Sequence, residues 1–226
     1  MTRTTNARIA GFTFLAYIAA GIAYMVLFRR AAAGEGIAAR LATLAAHADD
    51  LGILVLLALG QCFSAIVLAV TLYALTRDED SDLALLGLVC RLAEGIIGAV
   101  SIPATLTLFW LATQGEGAPD STAGHALAAY LLRDDAALTA TFFAVGSTAF
   151  TYLLLRGRMI PIPLAWLGLL ASAVLVIALP LQLAGWLPDS LAMIIWLPML
   201  AFEVPLGLWL LTRGLAAPSR PRVSEA

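Results

Sequence analysis

The sequence predicts an all-α fold, a polytopic membrane bundle of six transmembrane helices with a short extracytoplasmic interfacial helix. Three observations lead there. Of 226 residues, 62% are hydrophobic and 12% charged, with a mean hydropathy of +0.93, which is far too apolar for a soluble domain. Six apolar runs each reach the ~20 residues that a helix needs to cross a hydrocarbon core. The charged residues gather between these runs, and only Arg91, Glu94 and Glu203 fall inside them.

Composition also excludes several chemistries. All 13 basic residues are arginine, so no lysine Schiff base can form. Cys62 and Cys90 lie inside apolar runs without a CxxC spacing, which reads as packing rather than a disulfide framework or thiol relay. His47 and His125 both fall outside the spans, which argues against a membrane-embedded bis-histidine haem, and no cofactor is expected. A net charge of -2 with no basic run gives no sign of nucleic-acid binding.

The first span, residues 9–28, follows Arg3 and Arg8 and resembles a signal peptide at first sight. Its apolar stretch is long for such a segment, and Arg29 and Arg30 interrupt the approach to Ala31–Ala33, so a retained span is expected. Tyr17, Gly21 and Tyr24 lie near one face of it. Between residues 34 and 50, Ile37, Leu41 and Leu44 recur at helical spacing, which fits an interfacial helix. His47, Asp49 and Asp50, with His125, are weighed as metal ligands; without a fixed motif they read better as solvated loop residues, and no metal is expected.

The second span, 51–76, carries Gln61, Ser64 and Thr71 in one polar sector and ends before a solvated acidic turn of Asp78, Glu79, Asp80 and Asp82. The third, 83–112, exceeds a ~30 Å core at ~45 Å and must tilt, kink or protrude. A loop over 113–135 holds a brief helical pattern at 123–132. The fourth span, 136–155, aligns Thr141, Thr148 and Tyr152 on one face, and Arg156 and Arg158 close it. The fifth, 163–185, starts sharply after Pro161. The sixth, 190–212, contains Pro198, Glu203 and Pro205, and residues 213–226 read as a flexible tail. The whole, residues 1–226, reads as a single membrane domain.

Arginine placement sets the expected orientation. Arg3, Arg8, Arg77, Arg156, Arg158, Arg213, Arg220 and Arg222 share one side, against Arg29, Arg30, Arg40 and Arg133 on the other, which puts both termini in the cytoplasm.

Within the third span, Gly87, Arg91, Glu94, Gly98, Ser101 and Thr105 fall in one sector of a helix advancing ~100° per residue. A charge at bilayer depth costs roughly 2.5–3.5 kcal/mol even on lenient insertion scales, so Arg91 and Glu94 are expected to face the bundle interior. Counted from the cytoplasmic side, Arg91 lies ~14 Å deep, Glu94 ~18 Å and Glu203 ~15 Å. Their matching depths predict a cluster of Arg91, Glu94 and Glu203, with Gln61 deeper and joining through a hydrogen bond. If all three charged groups ionise, the cluster carries one surplus negative charge, so either a glutamate carries a proton or a cationic ligand supplies the balance. Pro103, Pro198 and Pro205 free the carbonyls of Ala99, Ile194 and Ala201, and the last two suggest a local break of the kind that forms sites in transporters. The same cluster can equally serve as a packing clasp.

Three patches resemble a bacterial integral-membrane family catalogued as domain of unknown function 4386. CRLAEG at Cys90–Gly95 is similar to its Arg-Leu-x-Glu motif, Phe142–Leu169 to its fourth-span region with a basic turn and Ile-Pro, and Phe202–Leu215 to its closing Glu, Leu-Trp-Leu and basic-Gly pattern. With Ala7–Gly11 the likeness covers roughly residues 7 to 215. The chain departs from the pattern at Ile162 and Cys90, where a basic residue and an aromatic are usual. The resemblance implies a compact helical domain in a bacterial plasma membrane, singles out Arg91, Glu94 and Glu203, and brings no activity with it.

The expectation is therefore a multi-pass protein that binds or transports a small molecule, lipid headgroup or ion at Arg91, Glu94, Glu203 and Gln61. The alternative is a non-catalytic structural or partner-binding subunit, and self-association into a homo-oligomer stays open. No span holds a histidine, and no nucleophile with a base is evident, so catalysis is not favoured.

Overall fold

The computed structural model describes residues 2–114, 121–133, 136–188 and 191–215. Among them the chain is all helical: α1 (Arg3–Ala31), α2 (Ile37–Ala46), a 3-10 turn at Ala48–Asp50, α3 (Leu51–Thr76), α4 (Ser81–Thr113), α5 (Ser121–Leu131), α6 (Ala136–Arg156), α7 (Ile162–Leu183) and α8 (Ala192–Thr212). Six of these are long and apolar enough to cross a membrane, namely α1, α3 with its leading turn, α4, α6, α7 and α8. The expected spans are thus present, and α2 and α5 are the short helices expected in the two long loops. The tail beyond residue 215 lies outside the described residues.

The spans pack as a closed ring in the order α1, α3, α4, α6, α7, α8 and back to α1. Closure depends on glycine. A Cβ at Gly11 of α1 would stand 2.6 Å from the Gly207 carbonyl oxygen of α8, and one at Gly207 would stand 3.3 Å from the Gly11 carbonyl oxygen, so the two helices meet backbone to backbone. The outward face carries Leu56, Val70, Val100, Ile177, Ile194 and similar exposed side chains, as a lipid-facing surface should. Exposed Trp110, Tyr130 and Trp186 mark one rim and exposed Tyr152 and Trp166 the other, the positions where amphipathic rings sit at headgroup level.

The two ends differ. At the end reached by the C-termini of α1 and α4, the amphipathic α2 folds over the helix tips and buries Leu44 against Ala31, Ala32, Leu54 and Phe109. The α5 helix adds Ala128 against Leu108 and Leu111. Arg40 fixes this cap by donating from Nε to the Ala32 carbonyl at 2.9 Å, which satisfies an orphan carbonyl just past α1. His47 donates from Nδ1 to the Thr43 carbonyl at 2.9 Å, so it closes α2.

The opposite end is polar. Asp80 caps α4, its Oδ1 accepting from the Leu83 N–H at 3.1 Å, while its Oδ2 takes Nη1 of Arg156 at 3.1 Å and so ties the end of α6 to the start of α4. The Leu83 N–H first, and then Arg156, hold the Asp80 carboxyl below the usual carboxylate range. Arg3 interacts electrostatically with Asp78 and Glu79 at the same end. Arg158 turns the chain through a left-handed conformation at φ 49°, and Pro161 and Pro163 then start α7.

Candidate functional site

The buried polar groups meet inside the ring, on α1, α4, α6 and α8. Arg91 is 1% exposed and Glu94 2%, one helical turn apart on α4, with Arg91 Nη1 2.8 Å from Glu94 Oε2. That approach lies off the N–H axis, so the pair is a Coulombic contact and not a hydrogen bond; Nε, Nη1 and Nη2 all keep unfilled donor capacity. The guanidinium lies over two aromatic rings, 4.7 Å from the Phe143 centroid and 5.7 Å from that of Tyr17, which suits a desolvated cation. Room for its stem comes from Gly146 on α6, where a Cβ would stand 2.8 Å from Arg91 Cγ and 3.2 Å from the Gly87 carbonyl oxygen.

Tyr17 reaches across the ring from α1 and donates its hydroxyl to Glu94 Oε1 at 2.7 Å. Two turns along, the Tyr24 and Thr105 hydroxyls lie 3.1 Å apart and link the same two helices. Glu94 is therefore held by a cation on one oxygen and a hydroxyl on the other, which is how a buried carboxylate is made tolerable.

Glu203 is different. It lies within Coulombic range of Arg91, Glu94 and Tyr17. It is only 6% exposed, yet its Oε1 has no hydrogen-bond partner and it forms no ion pair among the described residues. The carboxyl lines a small cavity between α1, α3, α6 and α8, bounded by Phe14, Leu72 and Phe202 and by the hydroxyl residues Ser147 and Thr151. The cavity has room for about one water molecule. Arg91 and Glu94 do not line it.

Gln61 stands apart. It is half-buried at the interface of α3 with α1, its Nε2 lying over Gly21, and it makes no hydrogen bond to the cluster. Ser101 is exposed and bonds the Gly98 carbonyl of its own helix at 2.6 Å. Pro103, Pro198 and Pro205 are exposed, as are Ile194 and Ala201, the residues whose carbonyls the two α8 prolines free.

Reading the sequence without the structure missed Tyr17, Phe143, Ser147 and Thr151 as parts of this site. The alignment of Tyr17 with Gly21 and Tyr24 was the available signal for the first. On α6 the aligned set of Thr141, Thr148 and Tyr152 includes exposed Tyr152, and the buried hydroxyl residues are Ser147 and Thr151. Among the described residues no group of three or more His, Cys, Asp or Glu is placed to hold a metal ion.

No curated protein and no solved structure matches this chain. A family model does match, over residues 9–214, and its description is a domain of unknown function. The chain therefore belongs to the family DUF4386.

Proposed function

We propose that this protein binds a small ion inside the bilayer at Glu203, with Arg91, Glu94 and Tyr17 as the fixed electrostatic frame of the site. One observation carries the reading: a buried carboxyl oxygen without a partner lines a cavity of about one water molecule beside an already paired Arg91–Glu94. With three charged side chains the cluster sums to one surplus negative charge, and a low-dielectric interior penalises that unless an ion neutralises it. The cavity is too small for an organic ligand, so the ligand class narrows from small molecule to ion.

Unfolding of the purified protein in detergent tests this, over a pH series and over sodium, potassium, lithium and choline chlorides at constant ionic strength. The expected result is a midpoint that moves with at least one of these variables and stops moving in Glu203→Gln. A wild-type midpoint indifferent to all of them counts against ion binding.

A second reading is favoured by the sealing of Arg91 and Glu94 at 1% and 2% exposure. Together with Tyr17 they form a clasp that fixes α1 against α4, and this role stands whether or not Glu203 holds an ion. On either reading the chain is one membrane domain in a bacterial plasma membrane with both termini cytoplasmic, as arginine placement favours. Gln61 is assigned to the α1–α3 contact and not to the ligand. A reporter fused after residue 226 that is active in the periplasm and silent in the cytoplasm would reverse the orientation.

A further inference from the structure

The structure assigns a chemical identity to the ion: we infer that Glu203 binds a single proton, within the hydroxyl-lined cavity on the inner faces of α1, α3, α6 and α8. This rests on the ion-binding reading above and goes beyond it by excluding alkali cations from the site.

Ligand counting decides between the two. A dehydrated metal cation must replace its water with a shell of protein oxygens, whereas a proton needs one oxygen. The cavity lining offers at most the Glu203 carboxyl and the hydroxyl oxygens of Ser147 and Thr151, the latter keeping its lone pairs while it donates to the Ser147 carbonyl at 2.7 Å and to the Thr148 carbonyl at 3.1 Å. That set falls short of the oxygen shell that a dehydrated metal cation requires. The rest of its wall is phenylalanine and leucine. The carbonyls that Pro198 and Pro205 free in α8 do not make up the deficit, because neither Ile194 nor Ala201 lines the cavity. A metal ion here would be undercoordinated.

The surrounding charges require the same occupant. The ionisable groups facing Glu203 are Arg91 and Glu94 from α4 and Tyr17 from α1. Helix α7 contributes none, since Ile162–Leu183 contains no ionisable side chain. On α6 the ionisable Tyr152 and Arg156 are exposed, and on α3 Tyr73 is partly buried against the core. Arg91 is committed to Glu94, so a single positive charge is missing. The step balances simply: the Glu203 carboxylate takes H⁺ from hydronium, forming one O–H bond and leaving one water, and the reverse step returns the proton to water.

Infrared spectroscopy of the protein in lipid vesicles, in H₂O and in D₂O, reads this directly. The expected result is a carboxylic acid C=O band of one group per chain that shifts on deuteration, disappears as the pH is raised, is absent from Glu203→Gln and is retained in Glu94→Gln. Glu203→Asp keeps the acid and moves the band, which covers the case in which the glutamine variant does not fold. A band that survives Glu203→Gln or vanishes in Glu94→Gln overturns the assignment. If wild type shows no such band at any pH but its unfolding midpoint shifts between sodium and choline, the proton is wrong and the ion site stands. If neither signal appears, both readings fail.

Discussion

The two ends of this bundle are built on different physics. At the capped end, α2 and α5 close the ring with Leu44, Leu54, Leu108, Phe109 and Ala128, and its polar groups mainly satisfy backbone carbonyls, as Arg40 does at Ala32 and His47 at Thr43. At the other end, Arg156 pairs with Asp80 and Arg3 lies within Coulombic range of Asp78 and Glu79, and the cavity lies in the nearer half of the bundle, with Leu72 one turn from the end of α3 and Thr151 and Leu154 in the last turns of α6. One end is thus a plug held by burial and the other a charged collar above the cavity beside Glu203.

Substitutions at the two ends should therefore fail in different ways. The largest expected effect is at the centre: Arg91→Leu strands the Glu94 carboxylate in the interior beside Glu203 and should cost about 3–5 kcal/mol of unfolding free energy, measured by denaturation in mixed micelles. Leu44→Ala in the plug should cost about 2–5 kcal/mol through the cavity it leaves, with no change in the pH dependence of unfolding; a changed pH profile would join the two ends that the comparison separates. Tyr17→Phe removes one hydrogen bond from Glu94, and intramembrane bonds of this kind average about 0.6 kcal/mol, so a small loss is expected in the same assay. Asp80→Ala should have the smallest effect. Because the folded state holds the Asp80 carboxyl below its unfolded value, its contribution is present above the unfolded value and is lost as the pH falls through the folded one, so acid unfolding of wild type should be flattened in that acidic window by the alanine variant.

Much of this architecture was legible in the sequence, because a hydrocarbon core forces every span to announce itself by length and apolarity. The six expected spans, the short helix carrying Ile37, Leu41 and Leu44, and the helical pattern near residue 123 all correspond to helices in the structure. Depth along a helix is also readable, which is why Arg91, Glu94 and Glu203 group from the sequence alone. Azimuth is harder to read. Nothing in the composition of α1 and α4 says that Tyr17 crosses the ring to Glu94, and the order in which six spans close a circle is set by packing details such as Gly11 against Gly207. Ser101 shows the same limit within one helix: at ~100° per residue it stands ~80° from Arg91, at the edge of the stripe, and there it turns outward. Gln61 matched the site in polarity, but it packs over Gly21 on the flank of α1. The prolines of α8 were informative about backbone and silent about placement, since neither Ile194 nor Ala201 lines the cavity beside Glu203.

The central claim is that Arg91 and Glu203 belong to one electrostatic unit although no ion pair joins them. A double-mutant cycle on the unfolding free energy, with Arg91→Leu, Glu203→Gln and the pair, tests it most directly. At a pH high enough to remove the proton from Glu203, the account predicts a coupling of about 0.5–3 kcal/mol, with Glu203→Gln costing less in the Arg91→Leu background or even relieving it. Two costs that simply add would contradict it and leave Glu203 an isolated carboxyl beside an unrelated clasp.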